Sequence, residues 1–139
     1  MGDVRGTLTL ESIDSGLRFR AEFGSFHHIL DSGEQAVGPS PLMALLEALA
    51  GCVAMDVVSI LRKKRLVVTD YRVEMLAERS ETHPKRFTSV SLVHHVTGRA
   101  IDPATVAETV RLSDEKYCSV RHTLDPALRV THRIEVHPA

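Results

Sequence analysis

Between Leu42 and Leu61 only two side chains carry a charge, Glu47 and Asp56. Ser40 ahead of this run is a good helix cap and Pro41 suits a first helical turn. Arg62-Lys63-Lys64-Arg65 behind it complements the carbonyl end of a helix dipole. The segment is therefore predicted to be one long helix, with the basic cluster as its solvated end. It has the length of a membrane span, but Glu47 and Asp56 would each cost about 2.5–3.5 kcal/mol at mid-bilayer. No membrane is expected. The helix is apolar almost all round, which a helix lying on one side of a sheet does not need, so several of its faces must be covered. The chain has 139 residues, enough for a single domain over residues 1–139. Little is left to supply that cover, and part of it is expected from a second subunit.

The rest of the chain reads mainly as strands. Residues 7–13 and 17–23 alternate with period two around a turn at Asp14-Ser15-Gly16, a β-hairpin that puts Leu17, Phe19, Ala21 and Phe23 on one face and Arg18, Arg20 and Glu22 on the other. Residues 26–30 form a third short strand, followed by a loop to Pro41. Beyond the helix, residues 71–77 and 87–96 alternate again across the polar loop 80–86. Asp102-Pro103 then caps an amphipathic helix over residues 104–116. A short helical turn at 119–125 and a last alternating strand at 128–136 complete the order β-β-β-α-β-β-α-(α)-β. Strands in hairpins, not singly interleaved with helices, favour an α+β fold over a doubly wound sheet.

Seventeen basic and eighteen acidic side chains leave a formal charge of −1. Nothing in that balance suggests a partner with a phosphate backbone, so no nucleic acid is expected. A 43% hydrophobic and 25% charged composition is that of a folded chain. With four Phe, two Tyr and no Trp, its core must be aliphatic. Met1-Gly2-Asp3-Val4-Arg5 has no apolar run behind its charges, so a cytoplasmic setting is expected. There a disulfide is more often catalytic or redox-sensing than structural.

The two cysteines are Cys52, in the middle of the apolar helix directly after Gly51, and Cys118, between the second helix and the short helical turn. Taken alone, Cys52 reads as a small buried hydrophobe. Cys118 precedes backbone N–H groups that would lower its pKa. The two are too far apart in sequence to resemble a zinc pair.

The run Gly38-Pro39-Ser40-Pro41-Leu42 through Ala50-Gly51-Cys52-Val53-Ala54-Met55-Asp56-Val57-Val58, followed by Asp114-Glu115-Lys116-Tyr117-Cys118-Ser119-Val120, resembles the OsmC/Ohr family of osmotically inducible and organic hydroperoxide resistance proteins, most closely its OsmC-like branch. The resemblance implies antiparallel sheets around a long buried central helix in an intertwined homodimer. It also implies a thiol-dependent peroxidase with organic hydroperoxide as substrate, no bound cofactor or metal, and an external dithiol as reductant. By position Cys52 would be the nucleophile and Cys118 the resolving thiol. Oxidation would pass through a sulfenic acid on Cys52 to a disulfide, which requires Cα atoms within about 7 Å.

A thiolate in an apolar pocket needs a nearby cation. In characterised members it is an arginine of the N-terminal strands held by a glutamate, which makes Arg18 and Arg20 the candidates here. Leu42 stands at the position of that family glutamate. Glu47 points about 140° away from Cys52 at 100° per residue and is no substitute. Asp56, one turn after Cys52, shares its side and would oppose a thiolate unless an arginine sits between them. The competing reading keeps the dimer but makes it a binder of a small apolar or thiol-reactive ligand, with the cysteines structural or redox-sensing. Among the histidines, His27-His28 and His94-His95 point to opposite faces of their strands and neither pair can chelate one metal. They are expected at a surface or interface. His122, one turn after Cys118, is placed to act as a local base.

Overall fold

In the computed structural model, which describes residues 2–13 and 15–139, the long helix α1 runs over Pro41–Lys63. Ser40 caps it, its hydroxyl accepting the Met43 N–H at 3.3 Å. At the other end the Leu66 N–H returns to the Leu61 carbonyl and the Arg65 N–H to the Arg62 carbonyl. This double closure turns the chain through a left-handed residue, Arg65 at φ 61°. The backbone divides into two compact units, Met1–Leu45 and Leu46–Ala139, with the boundary inside α1.

The N-terminal unit is a three-stranded antiparallel sheet in the order β1 (Thr7–Leu10), β2 (Phe19–Phe23), β3 (Phe26–Leu30). The predicted first strand is shortened to β1 because the Glu11 N–H bonds the Arg18 carbonyl while the Ser12 hydroxyl accepts the Arg18 N–H, and these bonds replace ladder pairing. Asp14 of the predicted turn, like Met1 of the predicted N-terminal stretch, lies outside the described residues. Gly24, at φ 59°, makes the two-residue hairpin between the paired Phe23 and Phe26. The loop after β3 folds around the Asp31 carboxylate, which accepts the N–H groups of Ser32 at 2.8 Å and Val37 at 3.1 Å and the Arg18 Nε at 3.2 Å.

In the C-terminal unit the sheet order is β4 (Val67–Arg79), β5 (Phe87–Arg99), β6 (Arg129–Pro138). The first two strands extend beyond their predicted alternation and pair antiparallel as the hairpin requires. The expectation of purely antiparallel sheets fails at β6, which runs parallel to β5. The connection between them is long and helical, the kind of crossover a parallel pair needs. It comprises α2 (Pro103–Leu112), a π-helical turn (Ser113–Tyr117) and α3 (Ser119–Thr123). Asp102 caps α2 by accepting the Ala104 N–H at 3.0 Å. Gly98 is needed where β4 begins and β5 ends, since a Cβ there would collide with the Val67 carbonyl and the Ile101 side chain.

The core is aliphatic, as the shortage of aromatics demands. Leu49, Val53, Val57 and Leu61 form a stripe along α1 at every fourth residue and pack with Val90, Leu92 and Val96 of β5 and Val106 and Val110 of α2. One stripe of the helix is thus buried within the chain. Its other side is open, with Met55 75% exposed.

Candidate active site

Two elements far apart in sequence bring the thiols together. Cys52 lies on α1 and packs against the core that contains Cys118. Cys52 is near enough to Cys118 to raise the pKa of its thiol, and both cysteines are free. Cys52 is partly exposed and Cys118 is buried. Cys118 is the N-cap of α3, its sulfur accepting the Arg121 N–H at 3.2 Å. The N–H groups of Arg121 and Val120 do lower its pKa, as the sequence suggests. Burial outweighs them and, with the Cys52 contact, pushes the thiol up to about 11.

The π-helical turn before Cys118 is pinned from two sides. The buried Ser113 hydroxyl donates to the Asp56 carboxylate of α1 at 2.7 Å, and its carbonyl accepts the Cys118 N–H at 2.7 Å. Asp56, on the same side of α1 as Cys52, is therefore engaged by Ser113. It links the two cysteine-bearing elements, a role the sequence reading missed. Single π turns recur at functional sites, where the extra residue re-aims the chain. Here the turn ends on Cys118.

The other pin is Asp114. It accepts the His132 Nε2–H at 3.2 Å; His132 Nδ1 lies 2.9 Å from His94 Nε2, and His94 Nδ1 lies 2.7 Å from the Tyr71 hydroxyl. Since a carboxylate only accepts, neutral rings satisfy every bond in one direction only, from Tyr71 through His94 and His132 to Asp114. Arg121 Nε stands 3.7 Å from the same Asp114 oxygen. Burial raises the Tyr71 pKa. Burial, followed by the neighbouring His132, lowers that of His94 from 6.5 to about 4. Between those values the unfolded chain binds a proton at His94 that the folded chain refuses. Stability from this group is therefore complete above about pH 6.5 and is lost as the pH falls towards 4. A loss of about 3 kcal/mol is expected across that window, seen as a lower urea midpoint near pH 4.5 than near pH 7, with a shallower dependence in His94→Asn. A midpoint that does not move with pH would contradict a neutral buried His94.

The expectation of surface histidines holds for His27 and His28, which are exposed, and fails for His94 and His95, which are buried. The two do face opposite sides of β5, but each meets a partner on antiparallel β4 and others on β6 that the parallel register supplies. His122 is exposed and lines a surface hollow with Asp114, Glu115 and Arg121. The hydrogen-bond donor to the Cys118 sulfur is the Arg121 N–H, and His122 is not among the groups that shift its pKa. Arg18 and Arg20 belong to the N-terminal unit, where Arg18 pairs with Asp31 at 3.2 Å and Arg20 with Glu22 at 3.5 Å. Ser32 and Val37, more than Arg18, lower the Asp31 pKa through their backbone N–H groups. A cavity of about 680 Å³ on α1 is lined by Ala54, Met55, Val58, Ser59, Arg62, Lys63 and Tyr71.

Residues 32–133 match the model of the OsmC-like protein family, and the chain belongs to that family. It is 48% identical over 124 residues to protein YhfA of Escherichia coli K12, covering 87% of this chain and 91% of that one. Among solved structures, a hypothetical protein from Aquifex aeolicus superposes with a TM-score of 0.88 at 26% identity, over 100% of this chain and 99% of the other. The organic hydroperoxide resistance protein OsmC of Legionella pneumophila does so at 0.71 and 15%, over 98% of each chain. This last likeness is one of fold.

Proposed function

We propose that the chain is a thiol-dependent peroxidase that reduces organic hydroperoxides in the cytoplasm and works as a homodimer. The observation that carries this reading is the pairing of a partly exposed Cys52 with a buried Cys118 whose pKa is raised by burial and by Cys52 beside it. The nucleophile must be reachable by peroxide, whereas the resolving thiol need only reach the nucleophile. The Cys52 thiolate attacks the distal peroxide oxygen, breaking the O–O bond; the alkoxide leaves as alcohol after taking a proton, and Cys52 becomes a sulfenic acid. Condensation with the Cys118 thiol releases water and forms the disulfide, which an external dithiol reduces. The activating cation in this reading is an arginine of the N-terminal strands. Arg18 and Arg20 are the two candidates for that role, each paired with a carboxylate of its own unit.

Support for the dimer comes from α1. Only 28% of the residues in its most apolar 18-residue window are buried within one chain, and a second copy of the helix is the matching apolar surface. Titrating the reduced protein with an organic hydroperoxide tests the reading: two thiols should disappear for each peroxide consumed. Peroxide that leaves the thiols intact would favour the second reading, a dimer that binds a small apolar ligand. The feature on its side is the α1 cavity, whose lining includes neither cysteine.

A further inference from the structure

The thiol chemistry uses the face of the C-terminal sheet that carries His94 and His132. On the opposite face His95 of β5 is paired in register with Glu135 of β6, and His137 follows two residues along the same strand face. His95 Nδ1 lies 3.2 Å from Glu135 Oε2 and 3.2 Å from His137 Nε2, and one donor atom from each of the three residues lies within 4.8 Å of the others. The far side of the His95 ring is already committed, because Nε2 stands 2.6 Å from Glu74 Oε1 on β4. This contact with His95 is the main cause of a lowered Glu74 pKa.

A carboxylate accepts, so the neutral His95 ring keeps its proton on Nε2 for Glu74 and turns the Nδ1 lone pair towards His137 and Glu135. Three potential donor atoms are thus gathered within 4.8 Å of one another. A proton on His95 Nδ1 can only be divided between two acceptors, Glu135 Oε2 and His137 Nε2, each at the long distance of 3.2 Å. A cation satisfies all three. The spacing agrees: ligands about 2.0–2.1 Å from a tetrahedral zinc ion lie about 3.4 Å from one another. A carboxylate behind a ligating histidine is also the usual device that fixes its tautomer and raises its basicity. Arg133, 3.1 Å from Glu135 Oε1, holds the other oxygen of that carboxylate, while Arg72 sits 3.2 Å from Glu74. Both acids are thereby oriented.

We propose that His95, Glu135 and His137 form a binding site for a divalent transition-metal cation of the zinc type, with a fourth position open to water and Glu74 as the residue that positions His95. The two ring nitrogens point almost directly at each other, with ring centroids 5.5 Å apart. Metal entry therefore needs a small rotation of the exposed His137 ring off that line. The bound ion would tie β6 to β5 on the face away from the thiols.

The test is calorimetric titration of the chelator-stripped full-length chain with zinc(II) alone, followed by the absorption spectrum of its cobalt(II) form. One zinc per chain is expected, with d–d bands of a four-coordinate N/O site and no thiolate-to-cobalt charge-transfer band. His137→Ala and Glu135→Gln, both at accessible positions, should each weaken binding at least tenfold, and Glu74→Gln about 10–100-fold. Far-UV circular dichroism shows that the variants remain folded. Absence of binding, binding unchanged in the His137→Ala/Glu135→Gln double variant, or a thiolate charge-transfer band would each overturn the proposal.

Discussion

Replacing Cys52 by serine should lower kcat/KM for organic-hydroperoxide reduction by at least about a thousandfold, equivalent to about 4 kcal/mol of transition-state stabilisation. In the proposed reaction the peroxide O–O bond is broken by a sulfur nucleophile, and a thiol is far more readily ionised than an alcohol. A serine hydroxyl in the same place is almost wholly protonated and cannot accept oxygen to form the equivalent of a sulfenic acid. Cys118→Ser should behave differently. The first turnover survives, since Cys52 is intact and is the partly exposed thiol. The sulfenic acid then has no partner, so one peroxide is consumed per chain in a burst and the intermediate can be trapped by a dimedone-type reagent. Steady-state turnover with dithiol should fall. Equal steady-state rates for Cys52→Ser and the unaltered protein would remove the nucleophile assignment, and an unaltered steady state in Cys118→Ser would remove the resolving role.

The second large effect concerns the packing that holds the thiols in place. Leu61 is fully buried at the end of the α1 stripe that begins at Leu49. Leu61→Ala deletes core atoms between α1 and its neighbours and should cost about 2–5 kcal/mol, a large part of the roughly 5–15 kcal/mol that stabilises a typical domain. Urea unfolding should show a lower midpoint with an unchanged slope. Met55→Ala, on the exposed side of the same helix, is the control. In a monomer it should stay within about 0.5 kcal/mol. If α1 is covered by a second subunit, the loss is larger and depends on protein concentration. A Leu61→Ala change below 1 kcal/mol would mean that α1 is not held through this stripe.

Much of the fold is legible locally. Ser40-Pro41 and Asp102-Pro103 announce helix starts because capping is a matter of adjacent residues, and period-two alternation marks the strands other than β3. What escapes is what depends on pairing at a distance. Nothing local in residues 128–136 says that they will run parallel to β5, and without that register His94 cannot be matched with His132, nor His95 with Glu135 and His137. The predicted second helix likewise gives no sign of where it widens. The π turn at Ser113–Tyr117 is stabilised by the Ser113–Asp56 hydrogen bond, whose partners come from different helices. Asp56 read alone is a liability beside a thiolate, but with Ser113 in place it becomes the brace between the cysteine-bearing elements. The cysteines themselves were legible only through the family resemblance, since composition and spacing leave a buried, inert thiol as the simpler reading of Cys52.

The nearness of the two thiols makes the most direct test a covalent one. The reduced chain is treated with one equivalent of an organic hydroperoxide, digested without reductant and mapped by mass spectrometry. A peptide pair joined through Cys52 and Cys118 of the same chain, formed as one alcohol appears per disulfide, is the predicted result. Full consumption of the peroxide with both thiols still free, or a disulfide formed only between chains, would contradict it.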